Sequence, residues 1–551
     1  LYCIIKASTR VTVIGLFLCV MISGCDYPLS QKSLDKITLP PEKVERIEAL
    51  ELPVSIDQEQ DYDPNAILGT KEFAEQKALT IEQCRAMALR NNLSLKVQQF
   101  NPMLAEESII QAQAAFEPVA LDNISYSKTD SPILSRSNDA SKSNVLSNNL
   151  RLQFPLRTGG QISVNQPLYR SETDNEFSIY PVSYSSDMSF SLSQPLLDGG
   201  GIHTNEHYLR VAHFGSEMTK VRTKLNVISL LVSVDIAYWR LYAARRELEV
   251  RKLDYDLAVA QLESSQRRFA KGEIIELDVI LSEDAAAQRL EGIILSQNSV
   301  QDREREIKQV INEAGLAVDT PTIINSITEP TPVHYEVDTE NLLALALENR
   351  MELLESELQI MQADDNIEFA QNRTLPSLSF DYTYNINALG TTLNDSYELL
   401  GRNRFADHRL GLNLTAPIGN KAAKSQLRQE ILRRQQQLVS QEQLKISIKR
   451  EVLAAVDQME ANWNRVIAGR RSAILAERTL AASQRQYDLG RLILTELLNA
   501  QTRYADALFT EMSALVEYQI SQLNLALSVG SLLSATRVEF ETDILNFESS
   551  K

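Results

Sequence analysis

Apolar residues return every three or four positions between Gly199 and Ala270, with Leu225, Ile228, Val232, Ile236 and Trp239 on one helical face. No Pro interrupts this stretch. About seventy residues rising 1.5 Å each predict a rod of roughly 100 Å, far longer than the helix of an ordinary globule. A compact domain cannot bury such a rod, whereas a coiled coil or a helical tunnel can. Lys271-Gly272-Glu273 interrupts the pattern, and a second helical stretch follows from Leu277 to Asn312.

Elsewhere the period changes to two. Met188, Phe190 and Leu192 alternate with Ser189, Ser191 and Ser193. Leu146, Leu150, Leu152 and Phe154 alternate with Ser147, Asn149, Arg151 and Gln153, and Ile162, Val164 and Leu168 continue the theme after a Thr158-Gly159-Gly160 turn. Strands with one apolar and one polar face are the expected result. Tyr126, Tyr169, Tyr180 and Tyr184 fall near the expected strand ends, where a membrane barrel places its aromatic girdles. A soluble β-domain carries the same alternation, so this segment alone does not choose between them.

The whole pattern occurs twice. Ala88-Leu89-Arg90-Asn91 is matched by Ala346-Leu347-Glu348-Asn349, and Pro118 and Tyr126 by Pro376 and Tyr384 at the same spacing. Ser193-Gln194-Pro195 corresponds to Thr415-Ala416-Pro417, Val234-Asp235 to Val456-Asp457, and Gly272 to Gly490. In the second half Leu378, Phe380, Tyr382 and Tyr384 alternate with Ser379, Asp381, Thr383 and Asn385, and Leu410, Leu412 and Leu414 with Gly411, Asn413 and Thr415. A duplicated unit of helix, strands and helical hairpin is a statement about architecture. The first half has the longer stretch between its strand landmarks. Thr80, with Glu82 and Gln83 behind it, is expected to cap the first helix of the first unit.

The amino-terminal segment adds a location. Lys6 and Arg10 precede an apolar run from Val11 to Ile22, too short for a stable bilayer span, and Ile22-Ser23-Gly24-Cys25 follows. Basic, apolar, small and Cys elements in that order are similar to a bacterial lipobox, so Cys25 is the expected acylation site and its chain the expected tether. Asp26 directly after it is, in enteric bacteria, a residue that favours inner-membrane retention; insertion of a barrel would override it. Five Pro residues between Pro28 and Pro64 predict an extended linker. The net charge of −18 has no basic cluster to offset it, which argues against nucleic acid and fits either solubility or an acidic lumen. The four Cys have neither disulfide nor zinc spacing, and Cys84 is expected to be a packed thiol on a helix.

Over roughly residues 71–535 these features resemble the TolC-type outer-membrane efflux family. The strand-to-helix exit Ser193-Gln194-Pro195-Leu196-Leu197-Asp198-Gly199-Gly200 carries the resemblance. So do two tip turns, Lys271 to Val279 and Tyr487 to Ala500, each with an acidic residue following its Gly. The resemblance implies a mainly α fold with a membrane β-barrel, in which three chains share one barrel and one periplasmic helical tunnel. Members commonly supply four strands each; the extra signals at 145–169 suggest six here. It also implies a channel of a tripartite efflux or type I secretion system, not an enzyme, working with a periplasmic adaptor and an inner-membrane pump. No cofactor is expected beyond the lipid, such as palmitate, on Cys25, and outer-membrane lipid is the expected surroundings. By motif, Glu496, Asn499, Asp278 and Tyr487 are the implied gate and selectivity residues. Family members commonly carry Asp at both of the first two positions, so Asn499 halves that charge. Gly272, Ile274, Gly490 and Leu492 are the implied adaptor-contacting tips. The plain alternative for Glu496 and Asp278 is a solvated carboxylate at a helix start.

The expected organisation is a signal peptide (1–24), a lipid anchor and linker (25–70), a first repeat (71–320) with strands within 119–196 and a tip near Gly272, and a connector (321–337). A second repeat (338–535), with strands within 377–417 and a tip near Gly490, and a tail (536–551) complete it. His203-Thr204-Asn205-Glu206-His207 spells a zinc-hydrolase motif. It stands beside the expected membrane exit with no catalytic cleft, so surface imidazoles are expected and no metal. A periplasmic adaptor lipoprotein is the main competing reading, but it carries one hairpin flanked by β-domains, not two. A coiled-coil structural lipoprotein is the remaining one.

Overall fold

The structure, a computed structural model, describes residues 76–535 apart from 131, 133–141 and 176. The signal segment, Cys25, the linker and the tail lie outside the described residues.

The first unit opens with strand β1 (Gln76–Leu79) and helices α1 (Ile81–Asn91), α2 (Leu93–Gln98) and α3 (Phe100–Gln113). Strands β2 (Val119–Asp130), β3 (Lys142–Pro155), β4 (Gln161–Thr173), β5 (Val182–Ser186) and β6 (Met188–Pro195) follow. A short helix α4 (Ile202–Asn205) leads into the hairpin of α5 (His207–Ala270) and α6 (Glu276–Ile311). The second unit has β7 (Ile323–Ser326), α7 (Thr339–Asn349), α8 (Met351–Asn372), β8 (Ser377–Ile386), β9 (Leu389–Gly390), α9 (Leu393–Gly401) and β10 (Ala406–Thr415). Its hairpin is α10 (Lys421–Asp488) with α11 (Leu494–Val529), and α12 (Leu532–Ala535) ends the described chain.

Local chemistry sets the helix boundaries. The Thr80 hydroxyl accepts from Gln83 N, and the Gln83 side chain accepts from Thr80 N, a reciprocal capping box. Asp338 caps α7 by accepting from the Glu340 and Asn341 amides at 3.1 and 3.4 Å. Pro102, which has no N–H to give, sits in the first turn of α3, where the first unit's helix is broken from α2; the corresponding α8 has no Pro and runs unbroken. At 64 and 68 residues, α5 and α10 are each about 100 Å long.

The main core lies where α1, α5 and α6 meet, around Tyr238, Leu241, Ile307 and Ile311, all 0% exposed. The duplicated residues Ala88 and Ala346 are both 0% exposed, each where its short helix packs on a long one. β1 and β7 form a parallel pair that sequence periodicity did not announce, because each has only four residues. β7 occupies part of what reads as a plain connector. Tyr238 ties the pair to the helices: its hydroxyl donates to Leu79 O at 3.1 Å and accepts from Thr328 N at 2.9 Å. One window of α5 is apolar enough to cross a bilayer, but it is 56% buried among the other helices and belongs to this core.

Candidate functional site

The sheet runs β10-β8-β6-β4-β3-β2, every neighbour antiparallel. β5 and β6 are one strand bent at Asp187, since β4 pairs with β6 along its first half and with β5 along its second. β9 likewise extends β8 and pairs with β5. Asp187 sits at the bend, its carboxylate accepting from Ala388 N at 3.0 Å. The path therefore holds six strands, with β3 and β4 as a hairpin interposed between β2 and β6.

Register sorts the side chains onto two faces. Leu410, Tyr382, Leu192, Ile162 and Phe154 stand side by side across five strands, and His408, Tyr384, Phe190, Val164, Leu152 and Ala120 form the adjacent row. The opposite face carries Gly411, Asp381, Ser193 and Gln161 in one row and Arg409, Thr383, Ser191, Ser163 and Gln153 in the next. Its polar groups bond to one another: Asp381 accepts from Ser193 at 2.6 Å, Ser379 at 2.9 Å and Asn413 at 2.6 Å, and Arg151 donates to Asn165 at 2.7 Å. Tyr169 departs from expectation. It pairs with Ser147 and therefore lies on the polar face, while Tyr126 shares the apolar face with Leu146.

Neither edge of this sheet has a partner among the described residues. All of β2 is exposed, and so is nearly all of β10. The helices also present an uncovered row. Leu432, Val439, Ile446, Leu453, Ile467 and Ile474 recur at seven-residue spacing on α10, broken only by Glu460, and are 42–69% exposed. Apolar residues at seven-residue spacing are the pattern of a coiled-coil seam.

At the far end, both hairpins turn in the same way. Gly272, at φ +72°, and Gly490, at φ +67°, take the left-handed position that ends a helix. Glu273 N bonds to Arg268 O at 3.0 Å and Arg491 N to Gln486 O at 2.9 Å, the six-to-one bond of a Schellman turn. Ile275 and Ile493, both extended, then start the return helices. Tyr487 is 5% exposed in a cluster with Leu494 and Leu497, joined by Leu281 of the first hairpin and by the half-buried Leu492. The Arg268 guanidinium lies 5.0 Å from the centre of the Tyr487 ring, and the Tyr487 hydroxyl is buried without a hydrogen-bond partner among the described residues.

The other motif residues are distributed around this cluster. Glu496 and Asn499 are exposed on one face of α11, Asp278 is half-buried at the matching place on α6, and Ile274 is half-buried beside Gly272. Two contacts here were not read from the sequence. Arg268 is one. The other is Arg289, which pairs with Asp254 at 2.9 Å, their side chains 9% and 6% exposed, and reaches Thr502 of the second hairpin at 3.3 Å. No period marks such residues; only the tip packing does.

The His motif is taken up by structure. The helix breaks at Glu206, which pairs with Arg157. His207 stacks on Phe369 at 4.1 Å and bonds Asp365 at 2.6 Å, while His203 meets Glu368 at 2.5 Å. Arg210 also bonds Asp365 at 2.6 Å, so the carboxylate that joins the two imidazoles is already balanced by a guanidinium.

Against known proteins, the family model described as outer membrane efflux protein matches residues 342–531. The outer membrane protein TolC of Vibrio cholerae is 27% identical over 314 residues, covering 55% of this chain and 68% of that protein. TolC of Escherichia coli is 23% identical over 323 residues, covering 55% and 62%. Among solved structures, the CmeC outer membrane channel of Campylobacter jejuni superposes with a TM-score of 0.61 at 14% identity, over 87% of this chain and 94% of that one.

Proposed function

Because the chain belongs to the TolC-type outer-membrane efflux proteins and is an outer-membrane efflux channel, we infer that three copies close one barrel and one helical tunnel. The observation that carries this reading is the open sheet with one apolar and one polar face. Unpaired strand edges cannot face lipid, because each bare N–H and C=O would cost several kcal/mol there, on the order of the transfer cost of an unbonded amide. Further copies remove both edges. The apolar face then meets lipid and the polar face water, while the heptad row of α10 is covered by a neighbour. An adaptor has no use for such a sheet.

In this reading Cys25 carries the lipid anchor and the hairpin tips form the periplasmic gate. Tyr487, held under Arg268, keeps the tips together; Glu496 and Asn499, with Asp278 at the matching place, set ion preference. The turns at Gly272 and Gly490, with Ile274 and Leu492 beside them, meet a periplasmic adaptor that joins the duct to an inner-membrane pump. Planar-bilayer recording of the purified chain tests the reading. Cation-preferring channels from a trimer are expected, with the preference reduced by Glu496→Gln. A compact monomer without a pore overturns the channel, and unchanged selectivity removes Glu496 from the filter.

A further inference from the structure

We propose that the barrel wall is eighteen-stranded, six strands from each of three copies, and that it forms a wide, charge-balanced exit for bulky neutral or polyhydroxylated solutes, not an ion filter. The proposal rests on the trimeric channel reading above.

The β3–β4 hairpin is part of the wall and not an ornament on it. β3 pairs with β2 from Lys142 to Gln153, and with β4 from Ser143 to Pro155. Both apolar and polar rows cross it without a step. Its turn is seated in the strand-to-helix junction. Thr158 O accepts from Gly201 N at 3.1 Å and from the Gln194 side chain at 3.0 Å, and Arg157 pairs with Glu206 at 3.1 Å. Gly159, at φ +84°, sits so close to this junction that a Cβ would lie 2.3 Å from Gly199 O. The two edges are also made for each other. With six alternating strands, β2 and β10 run in opposite directions, so β10 of one copy meets β2 of the next in antiparallel pairing.

Strand number sets width. At about 4.8 Å between strands and a tilt of about 40°, eighteen strands close at roughly 36 Å across the backbone and twelve at roughly 24 Å. The wall chemistry sets what this exit favours, apart from any ion preference at the tips. On the polar face of the six strands the ionisable acids and bases are Arg151, Asp381, Asp407 and Arg409, two of each sign. Three of them are engaged in the wall itself, Asp381 with three donors, Arg151 with Asn165 and Asp407 with Asn387. The rest of that face is mostly Ser, Thr, Asn and Gln, which offers hydroxyl and amide bonds to any polar solute and a net field to none.

Cryo-electron microscopy of the full-length protein in nanodiscs, together with polymer exclusion by neutral polyethylene glycols added on the outer side, tests this. Eighteen strands are expected. A variant lacking residues 131–173 keeps four strands per copy, and its barrel should be about one third narrower, with a smaller exclusion size. Arg409→Ser should leave the exclusion size unchanged. A channel with fewer than eighteen strands, the hairpin lying off the wall, overturns the proposal and leaves the channel reading intact. A poreless monomer overturns both. If the deletion variant does not assemble, the strand count of the intact protein decides alone.

Discussion

Arg85→Met tests how the first unit is locked onto its long helix. Arg85 on α1 grips Asp235 on α5 with two bonds of 2.7 Å, Nε to Oδ1 and Nη2 to Oδ2. The Asp235 side chain is 2% exposed and that of Arg85 18%. Removing the guanidinium leaves a buried carboxylate without its counter-charge, which costs about 3–5 kcal/mol in such settings. The partial exposure of Arg85 favours the lower end. Burial already raises the Asp235 carboxyl above its ordinary 3.8, and the bonds to Arg85 only partly oppose this. Without Arg85 the opposition disappears and the folded value climbs further. The folded chain then holds a proton more tightly than the unfolded chain, so stability falls as pH rises through that window and returns on acidification. Arg85→Met should therefore unfold faster than wild type at about pH 8, and the difference should shrink as the pH is lowered, with rates followed by far-ultraviolet circular dichroism at fixed temperature. Arg85→Met with Asp235→Asn removes both charges and should recover most of the loss. Equal unfolding rates for wild type and Arg85→Met at the higher pH, or a double variant worse than the single, would refute the reasoning.

Other consequences are simpler. Gly490→Ala should destabilise the second tip by about 1–2 kcal/mol through its left-handed backbone alone, since among the described residues no atom lies within 4 Å of the added Cβ; faster proteolysis at the turn would report it. Cys84 is 0% exposed, and burial, with Asp235 adding to it, pushes its thiol up to about 12. It should resist alkylation at about pH 8 until the protein unfolds, and prompt labelling of folded protein would contradict the packing. Val439→Glu with Ile446→Glu places two carboxylates in the exposed heptad row and should shift the purified protein from trimer to monomer in light scattering; an unchanged trimer would show that this row is not the seam.

What could be read from the sequence depended on repetition. The long helices announce themselves through Leu225, Ile228, Val232 and Ile236, and the strands through Ser-interrupted runs such as Met188 to Ser193, because each pattern repeats often enough to be seen. The cap at Thr80 and the turns at Gly272 and Gly490 are legible because left-handed backbone and a first helical turn admit few residue types. Four-residue β1 and β7 are too short to show a period, and parallel pairing leaves no local turn to mark them. Arg268 over Tyr487, and Arg289 between Asp254 and Thr502, join positions distant in sequence and leave no trace along the chain. The α10 heptad was fully written in the sequence but stands out from the core pattern only once Leu432, Val439 and Ile446 are seen to be exposed.

The two units diverge where their tasks diverge. At the tips they have kept one geometry: the same Schellman turn, an extended Ile at the same place, and an acidic residue at the same distance past the Gly, Asp278 in one and Glu496 in the other. In the proposed trimer, a ring of alternating hairpins demands this likeness, because each tip packs against both kinds of neighbour. A barrel makes no such demand. A pair of strands can enter one unit and leave every neighbour antiparallel, since an even insertion preserves the direction of both edges. The β3–β4 hairpin uses that freedom, and it occurs only in the first unit. In the proposed eighteen-stranded wall, the length difference between the repeats is thus what widens the exit, while the two tips share one geometry.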